Sequence, residues 1–368
     1  MVDGSGTPDQ SSTPLGTHTT DLVLEGGGVK GIALAGAVQA LGAAGYTFGR
    51  VAGTSAGALV GAVVAAMQQR GESVDRLEEI ALTLDYRRFR DRDLPGSLVP
   101  SWGPLGYLGD ALGVITHDGA YAGDHLRDWV AGVLGEFGVR TFGDLRLDDP
   151  GGDGAVHHRY RLVVIASDVS RRRLVQLPWD YADYGLDPDE QPVADAVRAS
   201  ASVPFLFEPV QLAGRSGTST LVDGGLLSNY PISVFDRLDE QPPRWPTIGV
   251  RLNALGIGEP AHVAPVDGPV EMGIALVETS IEACQAEHLL DPCNLARSIA
   301  VETGDVPSFD FDLTRDQQDL LLRRGRAAAE RFLRHWDFHA WLHRCRGLPA
   351  GRVAAGRTRG TKVPPAGG

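Results

Sequence analysis

Short apolar runs ending in glycine alternate with alanine-rich or amphipathic stretches along the first part of the chain. Leu22, Val23 and Leu24 lie within Asp21–Glu25 and run into three glycines, the pattern of a buried strand. Gly31–Ala44 follows with Leu34, Val38 and Leu41 on one helical face, and Gly45 stands where a terminating glycine belongs. Phe48–Ala52 predicts a second strand and Gly57–Arg70 a second helix, closed by Gly71. Strand, tight turn and helix, twice in succession, predict parallel βαβ units and an α/β fold. Further on, helices are predicted over Ser73–Leu84, Asp124–Phe137, Val193–Ser200, Val270–His288 and Arg315–Leu333, the last opening at Thr314 as N-cap. Arg161–Ser167 reads as a strand buried on both faces, and Thr247–Leu252 as another. Between Asp85 and Tyr121 prolines interrupt Leu and Trp, and a partly helical excursion is expected.

The two ends of the chain differ from the middle. Residues 1–20 are rich in Ser, Thr, Gly and Pro and lack the basic and apolar regions of a secretory signal, so they read as a disordered leader. Residues 347–368 are rich in Gly, Pro, Ala and basic residues and contain no acid, and they read as a disordered tail. One domain, 21–346, remains between them. Over the whole chain, 34 basic residues against 47 acidic ones argue against a nucleic-acid partner. Val51–Gln69 is uncharged and long enough to span a membrane, but Gly53, Thr54, Ser55, Gly57 and Gly61 interrupt it and favour a soluble strand, turn and helix. Cys284, Cys293 and Cys345 provide no disulfide framework, which points to a reducing compartment and a cytoplasmic location. Oligomeric state is not legible.

Three segments carry chemistry. Glu25-Gly26-Gly27-Gly28-Val29-Lys30-Gly31 lies at a strand-to-helix junction, where consecutive glycines turn backbone N–H groups toward a ligand beside a helix N-terminus. It also satisfies G-x-G-x-x-G, but Gly49, Arg50 and Val51 occupy the place where a dinucleotide fold needs an acid. Gly53-Thr54-Ser55-Ala56-Gly57 is a G-x-S-x-G between a strand and a helix, the setting of a nucleophile elbow. Leu221-Val222-Asp223-Gly224-Gly225 ends an apolar run in a carboxylate, with glycines leaving room beside it for substrate or a second chain segment. Asp223 is a candidate general base, and an ordinary Asp-Gly hairpin turn is its bland alternative. The histidines offer less. His157 and His158 belong to a polar loop, and His335, His339 and His343 recur every four residues on a terminal helix crowded with arginine, more consistent with a solvated face than with a metal site.

In this order the segments resemble the patatin-like phospholipases. Gly26–Gly31 is similar to the family's oxyanion-hole motif, Gly53–Gly57 to its nucleophile motif and Asp223-Gly224-Gly225 to its Asp-Gly-Gly motif. Arg198–Pro209, Leu226–Pro231 and Phe309–Thr314 fit as well, so the resemblance runs from about Leu22 to Leu333. It implies an α/β/α sandwich around a mostly parallel sheet and a Ser–Asp dyad working without histidine, metal or cofactor. Carried over, Ser55 is the nucleophile and Asp223 its base. The Gly27 and Gly28 N–H groups hold the oxyanion, Gly26 and Gly31 shape the loop, and Lys30 supports it or meets a lipid phosphate. The implied activity is hydrolysis of fatty-acyl esters of the phospholipase A or lysophospholipase type. A soluble-ester esterase or thioesterase, or a non-catalytic lipid binder, are the alternatives. Arg87, Arg88, Arg90 and Arg92 precede Trp102 and several leucines in the excursion, which makes residues 85–121 either a lipid-facing lid in peripheral membrane contact or a piece of core.

Overall fold

The computed structural model describes residues 18–89, 119–121, 123–148, 159–237, 239, 241–252, 266, 268–304 and 306–347. Most of the expected excursion, including Trp102, lies outside these residues, as do the first seventeen positions, the polar loop with His157 and His158, and the tail from 348 onward.

The two predicted βα units are present as β1 (His18–Leu24), α1 (Ile32–Ala43), β2 (Tyr46–Thr54) and α2 (Ala56–Gln69). β1 begins at His18, inside the stretch expected as leader. A short 3-10 turn over Gly28–Gly31 comes before α1. The uncharged Val51–Gln69 stretch is thus strand, elbow and helix, and no helix among the described residues is long and apolar enough to cross a membrane. The expected Ser73–Leu84 helix is shorter, a 3-10 turn at Val74–Arg76 followed by α3 (Leu77–Ala81). Then come β3 (Gly119–Tyr121), α4 (Asp124–Glu136), β4 (Leu162–Asp168), β5 (Arg173–Leu177), α5 (Val193–Ser200), β6 (Phe205–Phe207), β7 (Val210–Gly214) and β8 (Gly217–Asp223). The chain continues through α6 (Gly225–Ser228), β9 (Thr247–Arg251), α7 (Pro269–Leu290), α8 (Pro292–Ala296), β10 (Ser298–Ala300), α9 (Arg315–Leu333) and α10 (Phe338–Arg346). α9 opens with the expected Thr314 cap, whose hydroxyl accepts from the Gln317 N–H while the Gln317 side chain reaches back.

Among the described residues one sheet runs β10-β9-β1-β2-β4-β8-β7, with β5 also paired to β4. The β10, β9, β1, β2 and β4 pairings are parallel, and β5, β8 and β7 join antiparallel. Alternation along the strands divides the core. Leu22, Leu24, Val51, Leu162 and Val164 pack on the face covered by α1, α2 and α9. Val23, Ala52, Val163 and Ile165 pack on the other face against Tyr230, Ile232 and Phe235.

β4 carries a register that matters for the site. β5 occupies one of its edges from Val164 to Asp168. The other edge is shared: β2 pairs up to Thr54–Ile165, and β8, coming from the opposite direction, ends at Asp223–Ala166. The last residues of β2 and β8 therefore meet head-on at successive positions of β4.

Two features correct the sequence reading. Cys293 in α8 and Cys345 in α10 form a disulfide, with Cα atoms 5.6 Å apart, so the cysteine count gives no indication of compartment. Their separation of 52 residues is why the pairing was not visible in the spacing. His335 lies between α9 and α10 rather than on one helix with His339 and His343, which breaks the expected four-residue series.

Midway along β1 and β2, Asp21 and Arg50 form a buried ion pair. The Asp21 carboxylate accepts from the Arg50 backbone N–H at 3.1 Å and from Nε at 3.0 Å, where the β1–β2 register shifts. Burial raises the Asp21 pKa and the Arg50 charge opposes that shift. Asp21→Ala would leave the Arg50 guanidinium buried without its carboxylate and is expected to destabilise the fold by ~3–5 kcal/mol in urea unfolding. A loss below ~1 kcal/mol would show that the pair does not brace the sheet.

Candidate functional site

Ser55 follows directly on Thr54, the last residue of β2, and precedes α2. Its backbone sits at φ 52°, ψ −121°, an unfavourable region for a residue with a side chain. The small residues around it make that turn sterically open. A Cβ on Gly57 would lie 2.3 Å from the Leu24 carbonyl oxygen, and one on Gly53 would lie 2.2 Å from the Gly57 carbonyl oxygen. Only glycine lets β1, β2 and the start of α2 approach this closely. Ser200, at the end of α5, holds the turn. Its hydroxyl accepts from the Ser55 N–H at 2.8 Å and donates to the Ile165 carbonyl at 2.5 Å. The Ile165 carbonyl lies where β2 and β8 both end, so one side chain ties the elbow to the shared edge of β4.

Asp223 ends β8 and is buried. Its N–H donates to the Ser202 carbonyl at 2.8 Å, and Oδ1 accepts from the Gly225 N–H at 2.7 Å. Oδ2 has no hydrogen-bond partner among the described residues. Burial pushes the carboxyl up to about 7, against the downward pull of the Gly225 N–H and the Ser55 hydroxyl. β8 leads into α6, not into a hairpin, which removes the bland reading of the Asp-Gly-Gly motif. The room beside its glycines is taken up by protein: the Ile165 carbonyl against Gly224 and the Asn229 side chain against Gly225.

The glycine segment is fastened to the same centre. The Gly26 N–H donates to the Asn229 carbonyl at 3.1 Å, and Asn229 Nδ2 donates back to the Gly26 carbonyl at 3.2 Å. Glu25 accepts from the N–H of Leu252, the residue after β9. Gly28 has φ +57° and lies against the Ser308 carbonyl, which accepts from the Val29 N–H at 2.9 Å. The N–H groups of Gly27 and Gly28 make no hydrogen bond among the described residues. Gly31 lies against Ala56, directly after the elbow.

Two cavities meet at Ser55. One, of about 60 Å³, is apolar and lined by Ile32, Leu59, Leu84, Phe89, Phe207 and Phe311 among others. Tyr86 and Phe89, from the start of the expected excursion, also line it. The other, of about 320 Å³, is bordered by Gly26, Gly27, Gly28, Lys30, Asp223 and Asn229, with Glu278 and Glu282 on α7. Ser55, Gly28, Val203 and Phe309 border both. No histidine lines either one among the described residues, and no three His, Cys, Asp or Glu side chains gather there as a metal site. The structure thus brings Ser55, Asp223 and the glycine loop together as the sequence motifs require. It adds Ser200 and Asn229, which fall within matching blocks but carry no motif chemistry of their own.

The family model of the patatin-like phospholipases matches residues 22–236, more than half of the chain. The chain belongs to the patatin-like phospholipase family. Family membership implies lipid acyl hydrolysis. Among relatives, YqhO of Bacillus subtilis is 37% identical over 318 residues, which covers 86% of this chain and 99% of YqhO. The NTE family protein Mb2594 of Mycobacterium bovis is 28% identical over 215 residues, 58% of this chain but 27% of that protein. The crystal structure of VipD from Legionella pneumophila aligns over 88% of this chain and 67% of its own, at 17% identity and a TM-score of 0.46.

In the patatin-like elbow, Ser200 is the partner of both the Ser55 N–H and the Ile165 carbonyl. Ser200→Ala would leave the buried Ser55 N–H and Ile165 carbonyl unpaired and is expected to cost ~1–3 kcal/mol of stability in chemical denaturation. A change within ~0.5 kcal/mol would mean that the turn is held by other contacts.

Proposed function

We propose that the protein is a serine lipid acyl hydrolase working through a Ser55–Asp223 dyad. The observation that carries this reading is the meeting of β2 and β8 on one edge of β4. It sets a strained serine and a buried carboxylate with an unpartnered oxygen at the boundary between an apolar and a polar cavity. The apolar cavity takes the start of the acyl chain and the polar one the rest of the ester.

Asp223 as carboxylate accepts the Ser55 hydroxyl proton while Oγ bonds to the acyl carbonyl carbon. The carbonyl π electrons move onto oxygen, and the Gly27 and Gly28 N–H groups, free of other partners among the described residues, receive that charge. Collapse of the tetrahedral species breaks the ester bond, and Asp223 returns the proton to the leaving alkoxide. Water then attacks the acyl-enzyme, with Asp223 taking its proton and delivering it back to Ser55 Oγ. The free fatty acid leaves. No step calls for a histidine, because the carboxyl of Asp223 at about 7 is itself matched to proton transfer near neutrality.

Ser55→Ala and Asp223→Ala are each expected to abolish hydrolysis of p-nitrophenyl butyrate and of phospholipid vesicles. The double variant is expected to be no worse than either single one, since nucleophile and base act as a unit. A double variant that loses the product of the two single effects would sink the dyad, and turnover on the soluble ester alone would favour an esterase.

The raised pKa has two consequences with a definite sign. The base works only when ionised, so kcat/KM is expected to rise with pH through about 7 and level off above it. The folded carboxyl also binds its proton more tightly than the unfolded one, whose ordinary value is 3.8. The folded state therefore holds the extra proton between those values, and stability falls as pH rises through that window. Asp223→Asn removes the penalty. Its melting temperature is expected to exceed the wild-type value by several degrees at pH 8 and by much less at pH 4, and an equal difference at both would contradict the assignment.

A further inference from the structure

We propose that the protein binds one monatomic anion, of the size and charge of chloride, between the Arg50 and Arg297 guanidiniums, and that this anion fastens α10 to the sheet. The cavity between them measures about 20 Å³ and lies apart from the dyad: none of its lining residues borders either cavity at Ser55.

Strand alternation brings the first guanidinium there. Asp21 and Arg50 each lie two residues before Val23 and Ala52, which face Tyr230, Ile232 and Phe235, so both side chains turn to that side of the sheet. Phe235 and Asp236 reach the cavity from the segment after α6, Arg297 from the residue before β10, and Trp341 from α10. Both guanidiniums are fixed and enclosed. Arg50 lies 4.5 Å from the centre of the Phe235 ring and Arg297 5.3 Å from that of Trp341, and their side chains are 5% and 3% exposed.

Their hydrogen bonds leave a remainder. Asp21 engages Nε and Nη2 of Arg50, and Asp236 engages Nη1 and Nη2 of Arg297 at 2.5 and 2.7 Å. Arg50 Nη1 and Arg297 Nε are buried and have no hydrogen-bond partner. A guanidinium is a rigid planar fork, so the nitrogen that Asp21 does not hold points away from it. The two nitrogens carry three N–H groups in all. No buried side-chain oxygen of the cavity wall lacks a partner among the described residues, so the unmet demand is for an acceptor alone. A water there would meet these donors but would also have to place two hydrogens of its own beside carboxylates that are already engaged. A halide only accepts.

Charge and size agree with this. Arg346 Nη2 also reaches Asp236, at 3.2 Å, so three guanidiniums, of Arg50, Arg297 and Arg346, share the two carboxylates of Asp21 and Asp236. These five groups are one negative charge short, and burial makes that shortfall costly. Arg237, paired with Asp239, and Arg244 border the cavity as well. A single water-sized probe needs ~10–15 Å³, so a space of about 20 Å³ takes one small species and excludes phosphate, sulfate and carboxylate ligands. Because Trp341 and Arg346 belong to α10 while Asp21 and Arg50 belong to central strands, an anion held here joins the C-terminal helix to the middle of the sheet.

Crystals grown in sodium bromide are expected to show an anomalous scattering peak beside Arg50 Nη1 and Arg297 Nε. Thermal unfolding is compared in sodium chloride, sodium bromide and sodium gluconate at one ionic strength, so that screening is the same in all three. The melting temperature is expected to be higher in both halides than in gluconate, and to rise with chloride until the site is filled. Arg297→Gln removes the Nε donor and balances the charges, and is expected to abolish the difference between salts. That readout compares salts within one variant, so a general loss of stability does not imitate it. The inference is overturned if no bromide peak lies in the cavity, if wild-type melting temperatures in chloride and gluconate are equal, or if folded Arg297→Gln keeps the full halide effect. A bromide peak without any halide effect on melting would mean an adventitious ion only and would overturn it too. Should Arg297→Gln fail to fold, the wild-type peak and salt comparison decide. The hydrolase reading is untouched by each of these results.

Discussion

The site depends on one edge of β4 serving two strands that arrive from opposite directions. β2 runs parallel to β4 and stops at Ile165, and β8 runs antiparallel and stops at Ala166. Neither can continue, because each occupies the other's path. The chain after each strand must leave the sheet at that point. On one side it turns sharply through Ser55 into α2, and on the other through Gly224 into α6. The carbonyl of Ile165, left at the junction, is taken by Ser200, which in turn receives the N–H of the strained serine. A ladder that stops for steric reasons thus sets a nucleophile and a carboxylate side by side, and the rest of the molecule serves to hold that end in place.

Burial then determines the chemistry of that junction. Asp223 is enclosed, with a single backbone donor on one oxygen, and its carboxyl moves up toward neutrality as a result. Asp21, a second buried carboxylate in the same sheet, has a different role. Its partner is the Arg50 guanidinium, and both of its oxygens are occupied. Two aspartates of similar burial are therefore separated by their partners: a cation makes one a brace, and its absence leaves the other able to accept a proton.

Disulfide and helix details of the C-terminal region departed from the sequence reading for related reasons. Cys293 and Cys345 lie on short helices, α8 and α10, neither of which shows a long amphipathic pattern. β5, β7 and β10 were not predicted either. They span only three to five residues, and β7 alternates between exposed and half-buried positions, so the apolar signal of a central strand is missing. α3 was predicted too long because a 3-10 turn and an α-helix share similar side-chain spacing over a few residues.

The amino-acid sequence determined the local pieces. Gly53 and Gly57 mark a turn that no larger residue would permit, and the triple glycine beginning at Gly26 marks a loop that presents its backbone. The buried runs of β1 and β4 mark central strands, and their order along the chain already pointed to the family and to Ser55 and Asp223 as partners. These signals are short-range, since backbone sterics and the two-residue period of a strand act within a few positions. Tertiary structure alone decided that Ser200 and Asn229 hold the elbow and the glycine loop, that Arg50 shares a cavity with Arg297, and that Cys293 meets Cys345. Those contacts join residues tens to hundreds of positions apart. A serine, an asparagine or an arginine carries no mark of its distant partner, because the hydrogen bond or field that gives it a role exists only after the sheet has closed around it.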